Sequence, residues 1–123
     1  MKVAVTLEEN NGLNSYISRH FGHSRYFAVF DIVNGNLENL KIYENPFKEH
    51  GPGQIPNFLK DLGVEKIIVY GIGERALEFF QEFGIDVITG VEGKLNEIID
   101  QFLKGELKGN LEWKGSEEFH HHD

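Results

Sequence analysis

The sequence predicts an α/β protein with a mixed, five-stranded sheet in the order 3-2-1-4-5. One observation is that the amino-terminal half contains three runs with strand character. Another is that the carboxyl-terminal half contains three amphipathic segments at helical spacing, which alternate with two short apolar runs. The element order is therefore β-β-β-α-β-α-β-α. Because crossovers between parallel strands are right-handed, strands four and five lie beside strand one, and helices cover the sheet faces.

The first three strands form a meander. Residues 2–7 are apolar on both faces, as in a central strand. Residues 26–33 form the second strand, and Asn34-Gly35 joins it to the third, residues 37–43. This dipeptide is a strong hairpin signal, because a type I′ turn needs two residues that tolerate a positive φ. The third strand therefore returns antiparallel to the second.

Proline and glycine bound the first predicted helix. Pro56 is tolerated only in the first turn, so this helix begins near Gln54 or Ile55, and Gly63 ends it. A short buried strand follows at residues 66–70.

The remaining helices also end at glycines. The second helix follows Gly73 and ends at Gly84, the last strand covers residues 85–88, and the third helix ends at Gly105. Residues 1–105 are predicted to form a single domain.

Residues 106–123 are predicted to form a partly disordered tail, because they show no clear period. Leu107, Leu111 and Trp113 are expected to pack back onto the domain. The chain ends in His120-His121-His122-Asp123, whose composition suits metal binding. This run is either a native metal-scavenging tail or part of a purification tag.

Composition excludes several classes of function. Among 123 residues there are 12 basic and 20 acidic side chains, for a net charge of −8, which argues against non-specific nucleic-acid binding. There is no cysteine, so disulfides, thiolate-bound zinc and thiol catalysis are excluded. No apolar run approaches membrane-spanning length, and no signal peptide is visible at Met1. We expect a cytoplasmic protein that binds neither membrane nor nucleic acid.

The segment Ser18 to Arg25 carries the candidate binding residues. Two imidazoles, His20 and His23, and two guanidinium groups lie within seven residues, at the entrance to the second strand. Neutral imidazoles bind metals, and the guanidinium groups of Arg19 and Arg25 bind carboxylate or phosphate. Within the segment, the Phe21 ring can anchor the loop, and Gly22 allows the backbone to approach a ligand closely. A ligand with both a metal and negative charge would suit this loop.

Four loops should meet where the strand order reverses, at the carboxyl ends of strands one and four. They are residues 8–24, 44–53, 71–74 and 89–93. His50 would then supply a third metal ligand to His20 and His23, beside Gly51. The Gly71-Ile72-Gly73 turn would offer free N–H groups at a helix N-terminus to an anion.

Each assignment has a structural alternative. His23 can instead stabilise the loop by hydrogen bonding, with His20 simply exposed. Arg19 and Arg25 can form surface ion pairs, and the glycine turns at 51–53 and 71–73 can serve only to pack a helix on a strand.

Six segments of the chain together form a recognisable set of motifs. They are Met1-Lys2-Val3-Ala4-Val5, Ile17-Ser18-Arg19-His20-Phe21-Gly22-His23, Glu44-Asn45-Pro46, His50-Gly51, Ile55-Pro56-Asn57-Phe58-Leu59 and Gly71-Ile72-Gly73-Glu74-Arg75-Ala76. This set resembles the motifs of the dinitrogenase iron–molybdenum cofactor biosynthesis family, and the resemblance covers roughly residues 1–105.

That resemblance implies a ribonuclease H-like, three-layer α/β/α fold and the role of a nitrogenase accessory factor. It further implies a non-catalytic carrier of iron–molybdenum cofactor or an iron–sulfur precursor, which works with cofactor-biosynthesis or acceptor proteins. We expect a monomer or weak homodimer. The alternative is a regulatory or protein-interaction domain that binds a small anion without metal. A two-metal nuclease is not expected, because residues 3–7 of the first strand carry no acidic ligand.

Overall fold

The structure, a computed structural model, describes residues 1–47, 51 and 53–113, with the backbone alone for residues 110–113. The strands and helices follow the predicted order, with one additional strand at the end. They are β1 (Lys2–Leu7), β2 (Tyr26–Val33), β3 (Asn36–Glu44), α1 (Gln54–Asp61), β4 (Lys66–Ile68), α2 (Glu74–Phe83), β5 (Asp86–Thr89), α3 (Leu95–Leu103) and β6 (Asn110–Trp113).

The strands form a mixed sheet in the order β3-β2-β1-β4-β5-β6. Strand β1 lies at the reversal point, antiparallel to β2 and parallel to β4. The predicted order 3-2-1-4-5 is confirmed. The predicted hairpin is confirmed too, since Asn34 and Gly35 have φ values of 53° and 78° between β2 and β3.

Strand β6 is the element that the sequence did not predict. It lies in the segment assigned to the tail and pairs antiparallel with β5, for example Thr89 with Asn110. Four residues are too few to show a hydrophobic period. The strand is recognisable only by its pairing with the edge strand β5. Leu107 packs against the core as expected. The His120–His122 run lies outside the described residues.

Element boundaries differ from the prediction by one or two residues. Strand β4 ends at Ile68 rather than at residue 70, and β5 is shifted by one residue relative to residues 85–88. Beyond Ile68, the Val69 N–H still donates to the Ile88 carbonyl (2.9 Å), so the chain leaves the ladder gradually.

Helices cover both faces of the sheet, which confirms the three-layer architecture. Helices α1 and α2 pack on one face through Ile55, Leu59 and Phe80, all almost fully buried. Helix α3 packs on the other face through Leu95, Ile98 and Ile99. In the part of the chain that the structure describes, no helix combines the length and apolar character needed to cross a bilayer.

Asp31, at the end of β2 remote from the carboxyl ends of β1 and β4, is predicted to contribute stability that depends on pH. The Asn39 amide donates to it (2.9 Å) and the Lys2 ammonium lies 3.2 Å away. Because the Asn39 hydrogen bond, followed by the Lys2 interaction, favours the ionised carboxylate, its pKa lies below the ordinary value of 3.8. Ionised Asp31 therefore adds to the free energy of unfolding above that value. This contribution disappears as pH falls through the lowered pKa.

The test is urea unfolding of the Asp31→Asn variant from neutral to strongly acidic pH. The wild type should be more stable near neutrality, and the difference should shrink below pH 3.8. Asp61→Asn, at an exposed position on α1, is the matched control. Its stability relative to the wild type should stay the same over this pH range. A difference that grew in acid would contradict this assignment.

Candidate functional site

The carboxyl ends of the central strands form one edge of the molecule. In the sheet register, Leu7 at the end of β1 pairs with Tyr26 at the start of β2, which pairs with Glu44 at the end of β3. Strands β4 and β5 run parallel to β1 and end at the same edge. The register therefore confirms that the described loops converge there.

A short 3₁₀ turn, Phe21–His23, presents the two histidines at this edge. The Ser18 and Ser24 hydroxyls donate to the carbonyls of His20 (3.0 Å) and Phe21 (2.8 Å). The Phe21 ring is 5 % exposed and packs edge-on against Phe80, with ring centroids 5.5 Å apart. These contacts fix the turn and leave both imidazoles exposed, their ring centroids 6.0 Å apart.

Close approach to Gly71 holds the same turn in place. The Phe21 N–H donates to the Gly71 carbonyl (3.0 Å). A Cβ at position 71 would lie only 3.1 Å from the Arg19 carbonyl oxygen, so glycine lets the two segments touch.

The histidine cleft, a cavity of about 470 Å³, lies between this turn and the N-termini of α1 and α2. Its polar side chains are His20, His23 and Arg75, and its apolar residues include Phe21 and Ile72. The complete lining is His20, Phe21, Gly22, His23, Gly51, Ile55, Gly71, Ile72, Gly73, Arg75 and Ala76. Among these described residues there is no carboxylate, although the chain carries a net charge of −8.

Helix N-termini differ in their availability at this edge. Gly73 precedes α2 and supplies no side-chain acceptor to the first N–H groups of that helix. In contrast, the Leu95 and Asn96 N–H groups of α3 donate to the carbonyls of Ser15 (2.8 Å) and Leu13 (2.9 Å). The dipole of α2 therefore favours negative charge at this end of the helix, where Glu74 of the first turn already lies and where an anion in the histidine cleft would also be stabilised.

The described residues do not form a complete metal site. No group of three or more His, Cys, Asp or Glu side chains among them is placed to hold a metal ion. Two imidazoles alone bind a free ion weakly, but they can complete the coordination of a metal that arrives with its own ligands.

Comparison with known proteins decides the family. The sequence profile of the dinitrogenase iron-molybdenum cofactor family matches residues 1–105. The chain belongs to this family. A relative in Methanocaldococcus jannaschii, the uncharacterized protein MJ0580, is 34 % identical over 111 residues, covering 88 % of this chain and 90 % of that protein.

Two solved structures of similar proteins share the fold. The crystal structure of PH0822 superposes with a TM-score of 0.84 at 45 % identity, covering 93 % of this chain and all of that one. The NMR structure of TM1290 from Thermotoga gives a TM-score of 0.71 at 28 % identity, covering 88 % of this chain and 91 % of that one.

Most of the site residues predicted from the sequence line the one cleft. They are His20, Phe21, Gly22, His23, Gly51, Gly71, Ile72 and Gly73. Arg19 does not join them: its guanidinium lies over the Tyr70 ring, 4.8 Å from the centroid, and it lines a neighbouring cavity. His50 lies outside the described residues, so its role as third ligand stays a prediction. Arg25 lines a smaller cavity of about 290 Å³ that shares Gly22 and His23.

Arg75 is not among the site residues predicted from the sequence, yet this exposed arginine lines the histidine cleft. The sequence feature that could have identified Arg75 is its position in the first turn of α2, the helix whose N-terminus borders the cleft.

Thr6 is a buried polar residue in the central strand β1. It pairs with Phe27, so its side chain lies on the sheet face covered by α1 and α2. Its hydroxyl is fully buried and has no hydrogen-bond partner among the described residues. An unsatisfied buried hydroxyl lowers stability.

We expect Thr6→Val to raise the free energy of unfolding by about 1 kcal/mol, because the change removes this hydroxyl. The reverse change in the same buried layer, Val69→Thr, should lower it by about 1–3 kcal/mol. Urea unfolding measures both. A loss of stability in Thr6→Val would mean that the hydroxyl has an internal partner.

Proposed function

We propose that this protein is a non-catalytic carrier that holds an anionic metal cluster in the histidine cleft. The cluster class is iron–molybdenum cofactor or a related iron–sulfur precursor, as the family name implies. The observation that carries the proposal is the lining itself: two exposed imidazoles and Arg75 above an apolar floor, with no carboxylate among its described residues.

Each part of that lining matches a property of such a cluster. Imidazole nitrogen binds iron and other transition metals. Arg75 and the N-terminus of α2 stabilise negative charge. Phe21, Ile55 and Ile72 favour a polarisable, weakly hydrated sulfide surface over a strongly hydrated phosphate, which loses more hydration energy on entering an apolar cleft.

A carrier role fits the lining better than a catalytic one. Among the described lining residues there is no Ser, Thr, Cys or Lys nucleophile, so His20 and His23 have no such group beside them in the lining to activate as general bases. The cavity, about 470 Å³, is within the range of small-ligand sites and opens at the carboxyl edge of the sheet.

Anaerobic titration with tetrathiomolybdate tests the proposal, with molybdate and phosphate as hydrated anions for comparison. We expect a stoichiometric coloured complex with tetrathiomolybdate and much weaker binding of the other two. Strong stabilisation by phosphate or citrate without uptake of the sulfide-containing anion would contradict it. That result would favour a regulatory domain for small anions, because a ligand that binds the native state raises its stability.

A further inference from the structure

The loop of residues 8–17 displays two large apolar side chains at fixed positions. Leu13 is 45 % exposed and Tyr16 is 50 % exposed. Between them Ser15 is fully buried, and its hydroxyl accepts from the Asn11 N–H (2.7 Å) and donates to the Gly12 carbonyl (2.7 Å). The loop is therefore organised around a buried polar contact, with its apolar side chains directed outward.

The same loop is bonded to the body of the protein. The carbonyls of Leu13 and Ser15 accept from the first N–H groups of α3, and Tyr16 forms a β-bridge with Lys94. The Glu8 N–H donates to the Tyr16 carbonyl (3.0 Å) and closes the loop at its base. Apolar side chains on such a preorganised loop lose little conformational entropy on binding, as interface anchors do.

A second cavity, the tyrosine cleft, adjoins this loop. It measures about 440 Å³ and is lined by Glu8, Tyr16, Ile17, Arg19, Tyr70, Glu92 and Gly93. The segment from Arg19 to Phe21, in contact with Gly71, separates it from the histidine cleft. Its lining differs in charge, because it carries two exposed carboxylates where the histidine cleft has none in its described lining.

Neither of those two carboxylates has an ionic partner among the residues that the structure describes. The ion pairs found between described residues are Lys2–Asp31, Lys66–Asp86 and Lys104–Asp100. Within that part of the chain, neither Glu8 nor Glu92 forms an ion pair. The nearby cations lie over aromatic rings instead, Arg19 over Tyr70 and Lys94 over Tyr16.

We propose that Leu13, Tyr16 and the tyrosine cleft form a docking surface for a basic segment of a partner protein. Leu13 and Tyr16 supply the apolar anchors, and Glu8 and Glu92 receive lysine or arginine side chains of the partner. A protein with a net charge of −8 attracts basic surfaces at long range, and exposed carboxylates beside exposed apolar groups set the orientation at contact. This proposal is independent of any ligand in the histidine cleft.

The test is an amide NMR titration of the full chain with a short synthetic peptide of alternating lysine and leucine. Shifts should concentrate on residues 8–17, Tyr70 and 92–94. The same peptide with glutamate in place of lysine should not bind. Glu8→Gln/Glu92→Gln and Tyr16→Ala should each weaken binding about tenfold or more.

A double variant of equal charge change, Glu38→Gln/Glu82→Gln, is the matched control at exposed positions and should bind within about twofold of the wild type. An unchanged amide spectrum outside the surface shows that each variant is folded. Three results would overturn the proposal: no binding of the lysine peptide, shifts spread evenly over the acidic surface, or equal shifts with n-butylammonium at the same concentration. The last would indicate a site for small cations rather than a protein-docking surface.

Discussion

Replacing His20 and His23 together with alanine is expected to weaken tetrathiomolybdate binding about tenfold to a hundredfold. Both side chains are exposed and line the histidine cleft, so their loss removes imidazole N–H groups that donate to the sulfides of the anion, while the buried core stays intact. Isothermal titration under anaerobic conditions measures the affinity. Each single variant should show a smaller loss, because one imidazole remains.

The matched control is the alanine replacement of His120, His121 and His122. It removes the imidazoles of the terminal run and keeps His20 and His23, so any binding by that run is lost. We expect affinity in the cleft to be unchanged. If the terminal variant lost the complex and the His20→Ala/His23→Ala variant kept it, the site assignment would be wrong.

Phe21→Ala is expected to lower the free energy of unfolding by about 3–5 kcal/mol and to weaken ligand binding as well. The ring is 5 % exposed, forms part of the cleft, and packs edge-on against Phe80, which is fully buried. Removing it leaves a cavity and frees the turn that carries both histidines. Urea unfolding and the anaerobic titration report the two effects separately.

The Phe102→Ala variant separates the effect of Phe21 on ligand binding from its effect on stability. Phe102 belongs to α3 and is half-buried against the core on the opposite face of the sheet from α1 and α2. This variant should lose stability but bind tetrathiomolybdate with unchanged affinity when folded. Equal loss of binding in both variants would indicate a general effect of destabilisation rather than positioning by Phe21.

The parts of the fold that sequence predicted are those governed by local rules. Asn34-Gly35 defined the hairpin because few dipeptides tolerate two positive φ angles. Pro56 placed the start of α1, and Gly84, with a φ of 72°, marked the end of α2. Strand β6 depends on a partner that is distant in sequence, so no local pattern announced it.

The position of the candidate site in the fold was predictable where it depended on topology alone. The carboxyl ends of parallel strands must share an edge, so the loops bearing His20, His23 and Gly71 had to converge. Side-chain direction was not predictable in the same way. Adjacent residues Arg19 and His20 line different cavities. Arg75 was not predicted to line the cleft, because only tertiary packing brings its turn of α2 beside the histidines.

Anomalous diffraction at the molybdenum edge tests the central claim most directly. Crystals of the full chain grown anaerobically with tetrathiomolybdate should show the strongest peak inside the histidine cleft, beside the rings of His20 and His23. A strongest peak at the terminal histidine run, or at any other place with an empty cleft, would contradict the account.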